Sequence, residues 1–164
     1  MMQSGDCLLW RSSSMIGWAI RLFTGHKVNH ASLVIKPYKY GQLKNRRFAL
    51  EALEDGVVLR LLSERLRNFD GKVWLYPLKD EFDFARPKTI DWALSMEGTP
   101  YDYKSIFKQI FARVSVDMKE LFCSEFAYLA WKKGGIIKDE VIKAPRPGDI
   151  PALGIFKDPI LIFG

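Results

Sequence analysis

The chain reads as an α+β fold in which a mainly antiparallel sheet packs against helices. Three observations lead there. Short runs rich in aliphatic and β-branched residues (CLLW, HASLVIK, FALEAL, KVWLYPL) cluster in the first half. Phe48–Leu53 and a further run, Val57–Leu62, flank Glu54-Asp55-Gly56, and Asp-Gly at that position closes a β-hairpin. The second half instead carries apolar residues at helical spacing. No repeat, low-complexity stretch or linker divides the chain, so residues 1–164 are expected to form a single domain.

Taken in order, Cys7–Trp10 is an apolar run opening after Gly5-Asp6 and predicts a strand. Ser12, Ser13 and Ser14 offer N-caps to a helix carrying Ile16, Ile20 and Phe23 and ending at Gly25. His30–Lys36 predicts a strand stopped by Pro37, and Pro37–Arg47 a polar loop. Phe48–Leu53 and Val57–Leu62 form the hairpin, and Lys72–Leu78 a further strand. Pro87 suits the first turn of a helix carrying Ile90, Ala93 and Leu94 before Gly98. Ile106, Phe107, Ile110, Phe111 and Val114 mark another amphipathic helix. A helix then opens at Cys123 and closes at Gly134-Gly135, with Lys132 and Lys133 favourably placed against its dipole. A Pro-rich tail and a short apolar strand finish the chain.

Composition excludes several classes. A hydrophobic fraction of 48% with 27% charged residues fits a globular domain and not a disordered chain. No apolar run is long enough to span a bilayer, and the amino terminus lacks the basic, apolar and cleavage regions of a secretory signal, so the expected compartment is the cytoplasm. Two cysteines, Cys7 and Cys123, make no disulfide framework and are expected to be reduced thiols. With two histidines, no CxxC and no suitably clustered carboxylates, no metal site is expected. The net charge of +6 suits an anionic membrane or a cell-wall surface. Its bases are scattered, with Lys44, Arg46 and Arg47 the one tight cluster, so nucleic acid is not expected as a partner.

Three residues carry candidate chemistry. Cys123 at a helix start is either a buried filler or a thiol whose thiolate the helix amides favour, the same amides being available to an oxyanion. His30 opens a strand in which it shares a face with Ser32 and Val34. It is either a surface histidine or a general base. Glu51 interrupts the apolar strand Phe48–Leu53 and is either an edge residue facing water or a carboxylate that needs a partner such as a histidine N–H. Taken together they compose a Cys–His–Glu set. In such a set Glu51→Gln is the milder change, because an amide still accepts a hydrogen bond.

The succession GDCLLW, a serine-started helix, HASLVIK, ALEALEDGV, GTPYDY, FCSEFAYLAW and PRPGDI resembles the circularly permuted branch of the NlpC-type papain-like superfamily. More narrowly it resembles the YiiX-like group, with a distant similarity to lecithin retinol acyltransferase. The resemblance spans nearly the whole chain. It implies His30 as base, Glu51 as orienting carboxylate and Cys123 as nucleophile. The implied reaction is hydrolysis or acyl transfer at an amide or ester of a cell-wall peptide or lipid, without a cofactor. Tyr101 and Tyr103 are implied to lie near the cleft, and Asn29 and Ser124 are further candidate substrate contacts. Lys104–Glu120 is either a core helix or a lid, its basic face and phenylalanines matching a membrane-surface helix. The competing reading is a non-catalytic module on the same fold that binds anionic lipid or cell-wall polymer.

Overall fold

The computed structural model describes residues 2–13, 27–38, 41–53, 56–98, 118–138 and 145–164. Among these residues six strands form one sheet: β1 (Cys7–Ser12), β2 (His30–Ile35), β3 (Phe48–Leu53), β4 (Gly56–Leu61), β5 (Gly71–Tyr76) and β6 (Ile160–Phe163). The order across it is β4-β3-β2-β1-β5-β6, and every neighbouring pair is antiparallel. Among the described residues three α-helices accompany it: α1 (Leu62–Arg67), α2 (Arg86–Ser95) and α3 (Met118–Gly134). Short 3-10 turns occupy Gly41–Asn45, Asp80–Ala85 and Pro147–Leu153. The helix expected after the serines, the one expected across Ile106–Val114, and Tyr101 and Tyr103 lie outside the described residues.

The central strands are covered on both faces, which is why β1 and β2 read as continuous apolar runs and not as alternating ones. Cys7, Leu9, Ala31, Leu33 and Leu50 pack with α3. Leu8, Trp10, Val34, Ala49 and Val73 point the other way, toward Leu62 and the partly buried Phe69 and Phe163. Each fully buried Leu or Val on these faces stabilises the fold by about 1.5–3 kcal/mol. Helices α2 and α3 meet at Gly134, where an added Cβ would come within 1.9 Å of the Thr89 hydroxyl. Only glycine permits that approach.

A buried ion pair ties the amino terminus to this frame. Asp6, fully buried, accepts bonds from the backbone N–H of Gln3 (2.8 Å) and Leu78 (3.0 Å) and from the Arg86 guanidinium (2.8 Å). Arg86 also donates to the Ser4 carbonyl, and the Trp131 indole donates to the Gly5 carbonyl, so both helices are fastened to the turn that starts β1.

Helix α1 was not legible in the sequence. Its six residues lack a capping side chain, since Leu61 holds the N-cap position without a side-chain bond. Its place is set by Leu62 and Leu66 packing on the sheet.

Candidate active site

His30 is the first residue of β2 and lies opposite Trp10 of β1 in the ladder. Glu51 sits one step beyond the Leu33–Leu50 pair of β2 and β3, so it shares the face of Ser32 and His30. That face points away from α3. Cys123 reaches the same place from the other side, within the cluster that joins α3 to the sheet. At the end of β2 the imidazole meets both. Its Nε2 lies 2.9 Å from Glu51 Oε2, and it hydrogen-bonds with the Cys123 thiol. Because an ionised carboxylate only accepts, Nε2 carries the proton toward Glu51 and Nδ1 is left to face the sulfur.

Glu51 is fully buried, and β3 lies between β2 and β4. The edge-strand alternative is therefore wrong: the carboxylate is interior and held by donors. Burial pushes its pKa upward, but the hydrogen bond and charge of His30, together with Arg65, outweigh that and hold it below its ordinary value. Burial likewise opposes charge on His30, which is only 16% exposed. The charge and hydrogen bond of Cys123, and then those of Glu51, override it and raise His30 to about 10. Imidazolium is thus the favoured form of the ring wherever the thiolate and the carboxylate flank it.

Sequence reasoning missed Arg65. It projects from α1, places Nε 3.2 Å from Glu51 Oε1, and stacks its guanidinium over Trp10 and Phe69. One signal for it was available: a carboxylate buried in an apolar strand calls for more donors than a single histidine supplies.

The start of the cysteine helix needs correction. Helix α3 begins at Met118, which makes Cys123 its sixth residue, in the second turn. Only the first four N–H groups of a helix lack an internal partner, so the helix-start amide expected to serve Cys123 and an oxyanion is not available there. In the sequence, Asp117 followed three residues later by Glu120 has the pattern of a capping box and marks this earlier start.

The remaining candidates divide. Asn29, just before β2, is tied to β1, its N–H donating to the Trp10 carbonyl and its Oδ1 accepting from the Ser12 N–H. Ser124 is as fully buried as Cys123 beside it. Glu125, two residues past the cysteine, is 4% exposed, and burial raises it from 4.5 to about 7. Cys7 is a buried free thiol whose pKa is pushed well up, by burial first and then by the nearby charges of Cys123 and Asp6. That is the profile of an inert, structural cysteine.

Against known families, residues 1–147 match the permuted papain-like amidases of the YaeF/YiiX type, family C92. The chain belongs to that family. Its members are amidases, so this protein is an enzyme, and the cysteine-hydrolase reading of the sequence holds at that level. The crystal structure of the metalloprotein YiiX from Escherichia coli O157:H7 is similar, with a TM-score of 0.57 and 20% identity over 82% of this chain and 67% of that one. At that identity the likeness concerns the fold: an antiparallel sheet and helices in permuted papain-like order. Among the described residues of this amidase no three His, Cys, Asp or Glu side chains come together as a metal-binding group, and none of its helices there is long and apolar enough to cross a membrane. Comparison with curated proteins found no match.

Proposed function

We propose that this amidase is a thiol hydrolase in which Cys123 attacks an amide or ester carbonyl, His30 moves the proton and Glu51 orients His30. The observation that carries this reading is the position of His30, which hydrogen-bonds the Cys123 thiol on one side and a fully buried carboxylate on the other. A histidine that merely filled space would not be set between a thiol and a buried carboxylate.

The chemistry follows from that arrangement. Nδ1 of His30 takes the thiol proton and holds it as imidazolium while Cys123 Sγ bonds to the carbonyl carbon. The imidazolium, stabilised by Glu51, returns the proton to the departing nitrogen or oxygen as the bond to the carbonyl breaks. A thioester remains on Cys123. Water, deprotonated by His30, then adds to the thioester and releases the acid and the thiol. The substrate we assign is an amide or ester of a cell-wall peptide or lipid, since the net charge of +6 suits the anionic matrix in which either is found.

The test is capture of the intermediate. Incubation with peptidoglycan peptides, and separately with N-acyl and O-acyl lipids, followed by acid quench and mass spectrometry, is expected to give an acyl adduct on the Cys123 peptide. Cys123→Ala is expected to abolish both adduct and turnover while leaving the melting temperature nearly unchanged. Turnover by Cys123→Ala at the parental rate would overturn the reading.

A further inference from the structure

We infer that Arg65 is a positioning residue for the reaction, acting on His30 through Glu51. The inference rests on the roles proposed above for His30 and Cys123.

Glu51 has two oxygens and no contact with solvent. Oε2 faces His30 at 2.9 Å, and Oε1 faces Arg65 Nε at 3.2 Å, with Oε2 also 3.5 Å from that nitrogen. A carboxylate buried this fully costs several kcal/mol to keep ionised unless it is paired. His30 cannot guarantee the charge pairing, because the ring gives up its Nδ1 proton, and with it its charge, during each turnover. Arg65 can, since a guanidinium does not deprotonate. It supplies a constant charge that keeps Glu51 an acceptor while the imidazole changes state.

Arg65 is itself held before it reaches Glu51. Its guanidinium carbon lies 4.8 Å from the Trp10 ring centre and 5.3 Å from that of Phe69. Those two rings meet edge to face at 5.0 Å, and the Trp10 indole donates to Ser32 Oγ at 2.8 Å. The stack fixes the plane of the guanidinium, which fixes the carboxyl group, which turns Oε2 toward His30 Nε2. A lysine would bring the charge without the plane.

This differs from an ordinary structural salt bridge in what it predicts. With the Arg65 charge removed, Glu51 protonates at higher pH, so the proton on Nε2 loses its acceptor and the tautomer with Nδ1 facing the thiol is lost on the acid side. The experiment is acylation of Cys123 by p-nitrophenyl acetate across roughly pH 4 to 9, followed as the burst of nitrophenolate, for the parent, Arg65→Gln and Arg65→Lys, with thermal melts alongside. Arg65→Gln is expected to move the acid limb upward by about one pH unit. Arg65→Lys is expected to leave the limb in place and lower the plateau several-fold, because charge returns and the stack does not. An unmoved limb in Arg65→Gln with only a lower melting temperature would overturn the inference, as would a parental plateau in Arg65→Lys, which also decides the matter if the glutamine variant does not fold. A second readout is independent of turnover. In a Cys123→Ala background with His26→Gln, the one remaining histidine is His30. The low-pH inflection of its ring resonance, which reports Glu51, is expected to rise when Arg65 becomes Gln. If the parent shows no acylation of Cys123, the proposed function fails, and the inflection still judges Arg65.

Discussion

Glu51→Gln exchanges one atom for another of nearly the same size, yet in this site it should be severe. Both carboxylate oxygens face donors: Oε2 receives the His30 ring N–H at 2.9 Å and Oε1 receives Arg65 Nε at 3.2 Å. An amide has one acceptor and one donor, so one of its ends must face a donor. The charge of Arg65 is permanent and will claim the oxygen. The amide NH2 then points at His30 Nε2, which can accept only by losing its proton, and the proton moves to Nδ1. That nitrogen faces Cys123, and protonated it cannot act as base. The wrong tautomer in a triad costs about 10⁴-fold in kcat, or about 5 kcal/mol of transition-state stabilisation. The expectation is therefore a loss of roughly 10³- to 10⁴-fold in acylation by p-nitrophenyl acetate, with the fall of His30 from about 10 visible in its ring-proton titration. The assay is the nitrophenolate burst at saturating ester, compared with Cys123→Ala as the floor. A Glu51→Gln protein that acylates within tenfold of the parent, with His30 titrating as before, would refute the tautomer argument. From the sequence alone the same substitution looked mild, because only one of the two donors could be foreseen.

Two predictions concern stability. Glu125 is raised by burial from 4.5 to about 7, so between those values the unfolded chain loses a proton that the folded chain keeps, and stability falls as pH rises. Glu125→Gln should therefore be about 3 kcal/mol more stable than the parent at pH 8 and equal to it near pH 4, as measured by urea unfolding; equal stabilities at both pH values would show that the acid is not desolvated. Asp6→Ala should cost about 3–5 kcal/mol, since it strands the buried Arg86 charge and two backbone donors, and should lower the melting temperature by about 10 °C. A loss below about 1 kcal/mol would mean that Asp83 alone suffices for Arg86.

By itself the sequence determined the strands and most of the described helices. Their signals are local: a Pro in the first turn of α2, the Gly134-Gly135 stop of α3, continuous apolar runs for β1 and β2. It also singled out Cys123, His30 and Glu51, because a thiol, an imidazole and a carboxylate in such surroundings each violate the local pattern. What it could not contain were relations between distant residues. That Glu51 is interior depends on β4 pairing outside β3, and that it has two donors depends on α1 folding Arg65 back over Trp10, 55 positions earlier in the chain. The enclosure of Ser124 likewise comes from the packing of α3 against the sheet and α2. Local chemistry selects which residues are unusual. Only tertiary contacts decide what each unusual residue touches, since a buried charge is tolerated solely where the fold delivers its partner.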